Sequence, residues 1–184
     1  MARILLADDD QDLRGMATMI LHGWGHTVLE AANGYDAVAL ATREKPDLVI
    51  LDYHMPEQDG FIALSLIRRQ GLEMPVIMLT GNASQNFAVQ CFRAGADDFL
   101  PKPFDSDFLP IVVDRALRQA KAQAKASAMS AEVFALMSGL RGLYATVARI
   151  KPCPGCRRND GHDEGCPVQQ AGRVLDRLGG QPSA

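Results

Sequence analysis

The chain has no uninterrupted apolar run approaching the roughly 20 residues that cross a bilayer, so no membrane helix is expected. Nor does it carry a secretory signal: "ILLA" (4–7) is too short for one, and "DDDQD" follows at once. A cytoplasmic protein is the expectation. Cysteine is scarce, with four residues in 184 and only Cys91 ahead of position 153. In a reducing compartment, clustered cysteines more often bind metal or do redox chemistry than form structural disulfides. One-sided charge is missing too, since the net charge is −3 at pH 7.

That small net charge conceals an asymmetry. Residues 1–113 hold 8 Lys/Arg against 16 Asp/Glu, a balance of −8, whereas residues 114–184 hold 11 against 6, a balance of +5. An acidic front can hold a cation, and a mildly basic back can touch an acidic partner or nucleic acid. An ordinary surface on each half is the plainer alternative, and +5 does not by itself make a nucleic-acid binder.

Over residues 1–120, short apolar runs alternate with helical patterns. "RILLA" (3–7), "HTVLE" (26–30), "DLVIL" (47–51), "PVIMLT" (75–80) and "DDFL" (97–100) read as strands. The fullest are nearly continuously apolar, as parallel strands covered on both faces are. Between them, Leu13, Ala17, Ile20 and Leu21 share a helical face, as do Ala37, Leu40 and Ala41, then Ile62, Leu66 and Ile67. The alternation predicts a five-stranded, parallel, doubly wound α/β sheet with helices on both faces. Such sheets bind ligands beyond the carboxyl ends of their strands.

The strand ends carry the chemistry. The first closes on Asp8, Asp9 and Asp10, the third on Asp52, the fourth on Thr80 and Gly81, and the fifth runs into Lys102 and Pro103. Crowded carboxylates repel one another and raise each other's pKa unless a cation sits among them. Hard oxygen ligands in a small site suit Mg²⁺. With a lysine and a hydroxyl added, the site is fit to receive a phosphoryl group, the cations offsetting its charge while an Asp52 oxygen attacks in line. A single Asp at a strand end is more often a helix cap or turn residue. Five suitable groups at the ends of four strands, in order, make coincidence the weaker account.

Through "LLADDD", "DLVILDYHMPEQDG", "PVIMLTG" and "AGADDFLPKPF", with their spacing, residues 1–120 resemble the receiver domain of bacterial two-component response regulators, a flavodoxin-like fold. The resemblance implies Asp52 as phosphoacceptor, Asp8 and Asp9 as the acidic pair with Asp9 the more direct Mg²⁺ ligand, and the His54 main-chain carbonyl as a further ligand. It implies Thr80 as switch hydroxyl, Lys102 as phosphate-binding lysine, a cis peptide before Pro103, and Phe99 as the aromatic that moves inward on activation. The sequence departs from the commoner pattern in having phenylalanine rather than tyrosine at Phe99. His54 is also less usual there; its side chain would border the path of attacking water and tune autodephosphorylation, or simply face solvent. The partner implied is a sensor histidine kinase or a phosphotransfer protein. No catalytic constellation beyond the receiver's own chemistry is evident.

After residue 104 the strand pattern ends. Residues 121–150 read as a helix rich in Ala, Gln, Lys and Arg. Val133, Met137, Leu140, Tyr144 and Val147 form an apolar stripe suited to a partner helix, including a homodimer through the helix after the fifth strand and residues 131–150. A helix folded back on its own domain is the alternative, and Gly139 and Gly142 weaken the pattern. Residues 151–184 contain Cys153-x₂-Cys156-x₅-His162-x₃-Cys166 and then a short helix over 168–178. Three thiolates and an imidazole suit a closed tetrahedral Zn²⁺ site, a small metal-knuckle-like segment with too little apolar content for a core of its own. A redox pair at Cys153 and Cys156, or unliganded cysteines, are the rivals. Cys91 reads as a core residue. The expected output is a phosphorylation-switched interaction with a downstream protein; the alternative is a transcriptional regulator whose tail binds nucleic acid, disfavoured by few basic residues and no aromatic platform.

Overall fold

A computed structural model describes residues 1–81, 85–148 and 165–178. Its elements are β1 (Arg3–Ala7), α1 (Gln11–Gly23), β2 (Thr27–Ala31), α2 (Gly34–Glu44), β3 (Leu48–Asp52), α3 (Gly60–Arg69), β4 (Val76–Thr80), α4 (Gln85–Arg93), β5 (Asp98–Pro101), α5 (Phe108–Ala148) and α6 (Pro167–Leu178). The five strands form one parallel sheet in the order β2-β1-β3-β4-β5. The chain divides into two units, Met1–Gln123 and Ala124–Ala184.

Side chains alternate across a strand, so each strand feeds two cores. Ile4, Leu6, Leu48, Ile50, Ile77 and Leu79 meet Ala17 and Leu21 of α1 and Leu109, Val112 and Val113 of α5. Leu5, Ala7, Val49, Leu51 and Met78 meet Ala37 and Ala41 of α2, Ala63, Leu64 and Ile67 of α3, and Cys91 of α4. Strands buried on both faces are why β1, β3 and β4 read as unbroken apolar runs. Cys91 is a core residue, 1% exposed. On α3 the buried face is Ala63, Leu64 and Ile67, not the Ile62, Leu66 and Ile67 that spacing suggested; Ile62 faces solvent. Both sets keep helical spacing, and what decides between them is that Ala63 and Leu64 lie toward the sheet.

Arg68, at the end of α3, fastens two connections, α3 to β4 and α4 to β5. Its Nε donates to the Gly95 carbonyl at 2.9 Å, its Nη1 to the Leu72 and Met74 carbonyls at 2.8 and 2.9 Å, and its Nη2 to Asp97 at 2.9 Å. Asp97 also accepts from the Val76 amide at 2.8 Å, which ties the entries of β4 and β5 together.

Helix α5 continues through Gly139 and Gly142. Each glycine costs about 1 kcal/mol relative to alanine in a helix interior, and the good helix formers around them outweigh that cost. In the second unit, α6 lies beside the later turns of α5, and Leu140, Leu143, Val168, Ala171, Val174 and Leu175 line the groove between the two helices. Arg141 Nη2 donates to the Leu175 carbonyl at 2.9 Å, satisfying one of the last carbonyls of α6. Among the described residues no helix is long and apolar enough to cross a membrane.

Candidate functional site

Parallel pairing brings the carboxyl ends of the strands to one edge. Ala7 pairs with Ala31 and Leu51, Asp52 with Leu79, and Thr80 with Pro101. Asp8, Asp52, Thr80 and Lys102 therefore lie one step from one another along that edge. Asp8, Asp52 and Thr80 are buried.

The three aspartates after β1 have separate tasks. Asp10 is the N-cap of α1, accepting from the Asp12 and Leu13 amides at 2.9 and 3.1 Å. Asp9 is exposed, and Asp8 is fully buried. Asp8 Oδ1 accepts from the Asp10 amide at 3.0 Å, and its main-chain carbonyl accepts from Arg14 Nη1 at 2.6 Å. Arg14 is in turn paired with Glu30 at 3.1 Å. Nothing in the spacing marks Arg14 as a support for Asp8; only the turn from β1 into α1 brings it there.

Lys102 bridges two of the carboxylates, its Nζ 2.6 Å from Asp8 Oδ2 and 2.9 Å from Asp52 Oδ1. The Lys102 amide donates to the Thr80 carbonyl at 2.7 Å, and the Lys102–Pro103 peptide is cis. Carboxylate oxygens of Asp8, Asp9 and Asp52 all lie within 4.8 Å of one another. Hard carboxylate oxygens gathered this closely would suit a small cation such as Mg²⁺.

The electrostatics point the same way. Burial lifts the Asp52 carboxyl above the ordinary carboxylate range; the Lys102 hydrogen bond draws it down, Asp8 and Asp9 push it up, and the net change is a rise. Burial by itself would lower Lys102, but its hydrogen bonds to Asp8 and Asp52 outweigh that and raise it. Three carboxylates crowd together and Lys102 bridges two of them, which leaves negative charge that a small divalent cation would offset.

His54 follows two residues after Asp52, its exposed ring edge-on to Tyr53 with centroids 4.7 Å apart. Phe99, on β5, is half-buried and edge-on to Phe92, with centroids 6.1 Å apart. Spacing gave no hint of Gly60. A Cβ there would lie 2.0 Å from the Asp52 carbonyl oxygen, so only glycine lets α3 begin against the end of β3. Cys153, Cys156 and His162 lie outside the described residues, and Cys166 is buried just ahead of α6.

A family model described as "Response regulator receiver domain" matches residues 4–114. The chain is 40% identical over 116 residues to "Regulatory protein AtoC" of Escherichia coli, a match covering 63% of this chain and 25% of AtoC. It is 32% identical over 153 residues to "Transcriptional regulatory protein ZraR" of Salmonella typhimurium, covering 81% of this chain and 35% of ZraR. The crystal structure of NtrX from Brucella abortus superposes with a TM-score of 0.66 at 36% identity, covering 70% of this chain and 29% of that one. The chain thus spans only a quarter to about a third of these curated relatives.

Proposed function

The chain belongs to the response regulator receiver domain family, and on that premise we propose that Asp52 accepts a phosphoryl group from the phosphohistidine of a sensor kinase or phosphotransfer protein. The observation that carries this reading is the buried Asp52 carboxylate held 2.9 Å from Lys102 Nζ and beside Asp8 and Asp9. An Asp52 oxygen attacks phosphorus, a new P–O bond forms, and the donor's P–N bond breaks with its electron pair leaving on the imidazole nitrogen. Lys102, already paired with Asp52, turns to the incoming phosphoryl oxygens. Asp8, Asp9, Asp52 and the His54 carbonyl would hold Mg²⁺, which when bound offsets charge on the transferring group.

The acyl phosphate then works as a switch. Its added negative charge draws the Thr80 hydroxyl and Lys102 together, and Phe99 turns inward. The reading gives the chain no catalysis beyond forming and hydrolysing this phosphate. Its output is contact with a downstream protein. A transcriptional output through the basic second half is the other reading, favoured by the name of ZraR. The Cys153, Cys156, His162 and Cys166 set would hold structural Zn²⁺, on the strength of its ligand spacing. Protein purified reduced and without added metal should then carry one zinc per chain and lose it in Cys166→Ser; metal-free protein would end that idea.

The phosphoacceptor is tested by treating the protein with Mg²⁺ and a small acyl phosphate, trapping with borohydride and mapping the peptides. Reduction of the Asp52 acyl phosphate should leave homoserine at position 52. Modification at another residue would overturn the assignment.

A further inference from the structure

Asp8 is held through every polar atom it has. Its amide donates to the Ala31 carbonyl at 3.2 Å, and its carbonyl accepts from Arg14 Nη1 at 2.6 Å. Its two carboxylate oxygens accept from the Asp10 amide at 3.0 Å and from Lys102 Nζ at 2.6 Å. The contact from Arg14 differs from the others in what it fixes. A carbonyl, the amide after it and the next Cα lie in one plane, so a bond to the Asp8 carbonyl sets the plane from which Asp9 departs. Asp9 is exposed, and the direction of its carboxylate follows that plane.

Arg14 is itself tethered. Helical side chains lean toward the helix N-terminus, which carries Arg14 from α1 back over Asp8. Its Nε donates to Glu30 Oε2 at 3.1 Å, and Thr18, one turn further along α1, donates to Glu30 Oε1 at 2.8 Å. Glu30 lies on β2, paired in register with Leu6 of β1. The Arg14 side chain is only 14% exposed. A cation turned toward the start of a helix opposes the helix dipole, and burying it costs more again. Helix stability therefore does not account for an arginine here, whereas two fixed acceptors that need a planar fork of donors do.

We propose, on the reading that Mg²⁺ binds among Asp8, Asp9 and Asp52, that Arg14 is a positioning residue for that cation. Anchored on Glu30, it holds the Asp8–Asp9 peptide in the orientation that keeps the Asp9 carboxylate within 4.8 Å of its two partners. Charge alone predicts the opposite consequence of losing it. Removing a cation beside a Mg²⁺ site should tighten the metal, whereas freeing the peptide plane should loosen it.

The test is calorimetric titration of the full chain with Mg²⁺ at constant ionic strength, joined to amide exchange of the metal-free protein. Arg14→Met and Arg14→Lys should each weaken Mg²⁺ binding about tenfold or more, the scale of other losses just behind a metal's ligands. Lysine keeps the charge but offers one nitrogen where two hold two separate acceptors. Adding Glu30→Gln to Arg14→Met should change the affinity by less than about twofold, because Glu30 acts through Arg14. In metal-free Arg14→Met, the Asp10 amide should exchange about tenfold faster. The Val49 amide, bound to the Pro75 carbonyl at 2.9 Å, should keep its wild-type rate and so report an intact sheet. Mg²⁺ held by Arg14→Met as tightly as by the wild type, or more tightly, would overturn the proposal, as would an unchanged Asp10 amide. A wild type that takes no Mg²⁺ would overturn the metal reading itself, and this inference with it.

Discussion

Asp52→Asn should end phosphoryl acceptance, lowering labelling by an acyl phosphate by more than about a thousandfold, while making the metal-free receiver harder to unfold. The two effects come from one carboxylate. Loss of labelling follows because an amide oxygen has neither the charge nor the nucleophilicity to attack phosphorus. The gain in stability follows from the charge arrangement: Asp8, Asp9 and Asp52 crowd together, Lys102 bridges Asp8 and Asp52, and its 2.6 Å contact with Asp8 should survive the substitution. What is removed is a buried charge facing two like charges, and that outweighs one lost ion pair. A gain on the order of 1 kcal/mol, or a few degrees in Tm, is expected.

The pH dependence gives a second check. The folded-state pKa of Asp52 is raised, so the folded protein holds this proton more tightly than the unfolded chain does. Stability from this group is therefore full below the unfolded carboxylate value and is lost as pH rises through the folded one. Wild type and Asp52→Asn should thus be close in acid and diverge above that window. If Mg²⁺ binds among these carboxylates, adding it should reverse the order, because a ligand at 100 times its Kd stabilises by about 2.7 kcal/mol and the variant offers a neutral amide in place of a carboxylate. Urea unfolding across this pH range, with and without Mg²⁺, reads all three outcomes. A variant less stable than wild type without metal at neutral pH would refute the charge account.

The parts of this site readable in the sequence are those fixed by one-dimensional rules. Strands buried on both faces leave unbroken apolar runs, so the ends of β1, β3 and β4 declare themselves, and with them Asp8, Asp52 and Thr80. What could not be read depends on approach between distant or equivalent residues. Asp8, Asp9 and Asp10 are the same letter three times, and only the turn into α1 makes one a cap, one an exposed carboxylate and one a buried partner of Lys102. Arg14 holds the Asp8 carbonyl by a contact that no motif encodes. On α3, Ile62 and Leu64 are equally apolar, and the sheet decides which is covered. On α5, Met137 of the stripe through Val133, Met137 and Leu140 is half-buried, whereas Met129, Leu136 and Leu143 on the neighbouring row are exposed. Two apolar rows a fraction of a turn apart cannot be ranked until exposure is known.

Gly60→Ala should damage both the fold and the chemistry, and by a route unrelated to charge. An added Cβ would stand 2.0 Å from the Asp52 carbonyl oxygen and 2.9 Å from its carbon, with Met78 Cε at 3.3 Å. Cβ atoms essentially never come within 3.0 Å of such neighbours, so β3 and α3 must part by about 1 Å. Neither side yields easily. The Gly60 amide is bound to the Tyr53 carbonyl at 3.0 Å, Asp59 caps α3 through the Ile62 amide at 2.8 Å, and Asp52 is paired into the sheet. A loss of about 2–4 kcal/mol is expected from overpacking against backbone. If Asp52 is the nucleophile, a displacement of that size also lowers the rate of acceptance about a hundredfold in molecules that remain folded. Gly15→Ala is the control: it sits within α1 with no heavy atom within 4 Å of its would-be Cβ, and it should stabilise by roughly 0.5–1 kcal/mol. Labelling kinetics under conditions where both variants are folded separate the two effects. Wild-type labelling by Gly60→Ala would mean that the end of β3 adjusts without moving the carboxylate, and that the contact with α3 does not position Asp52.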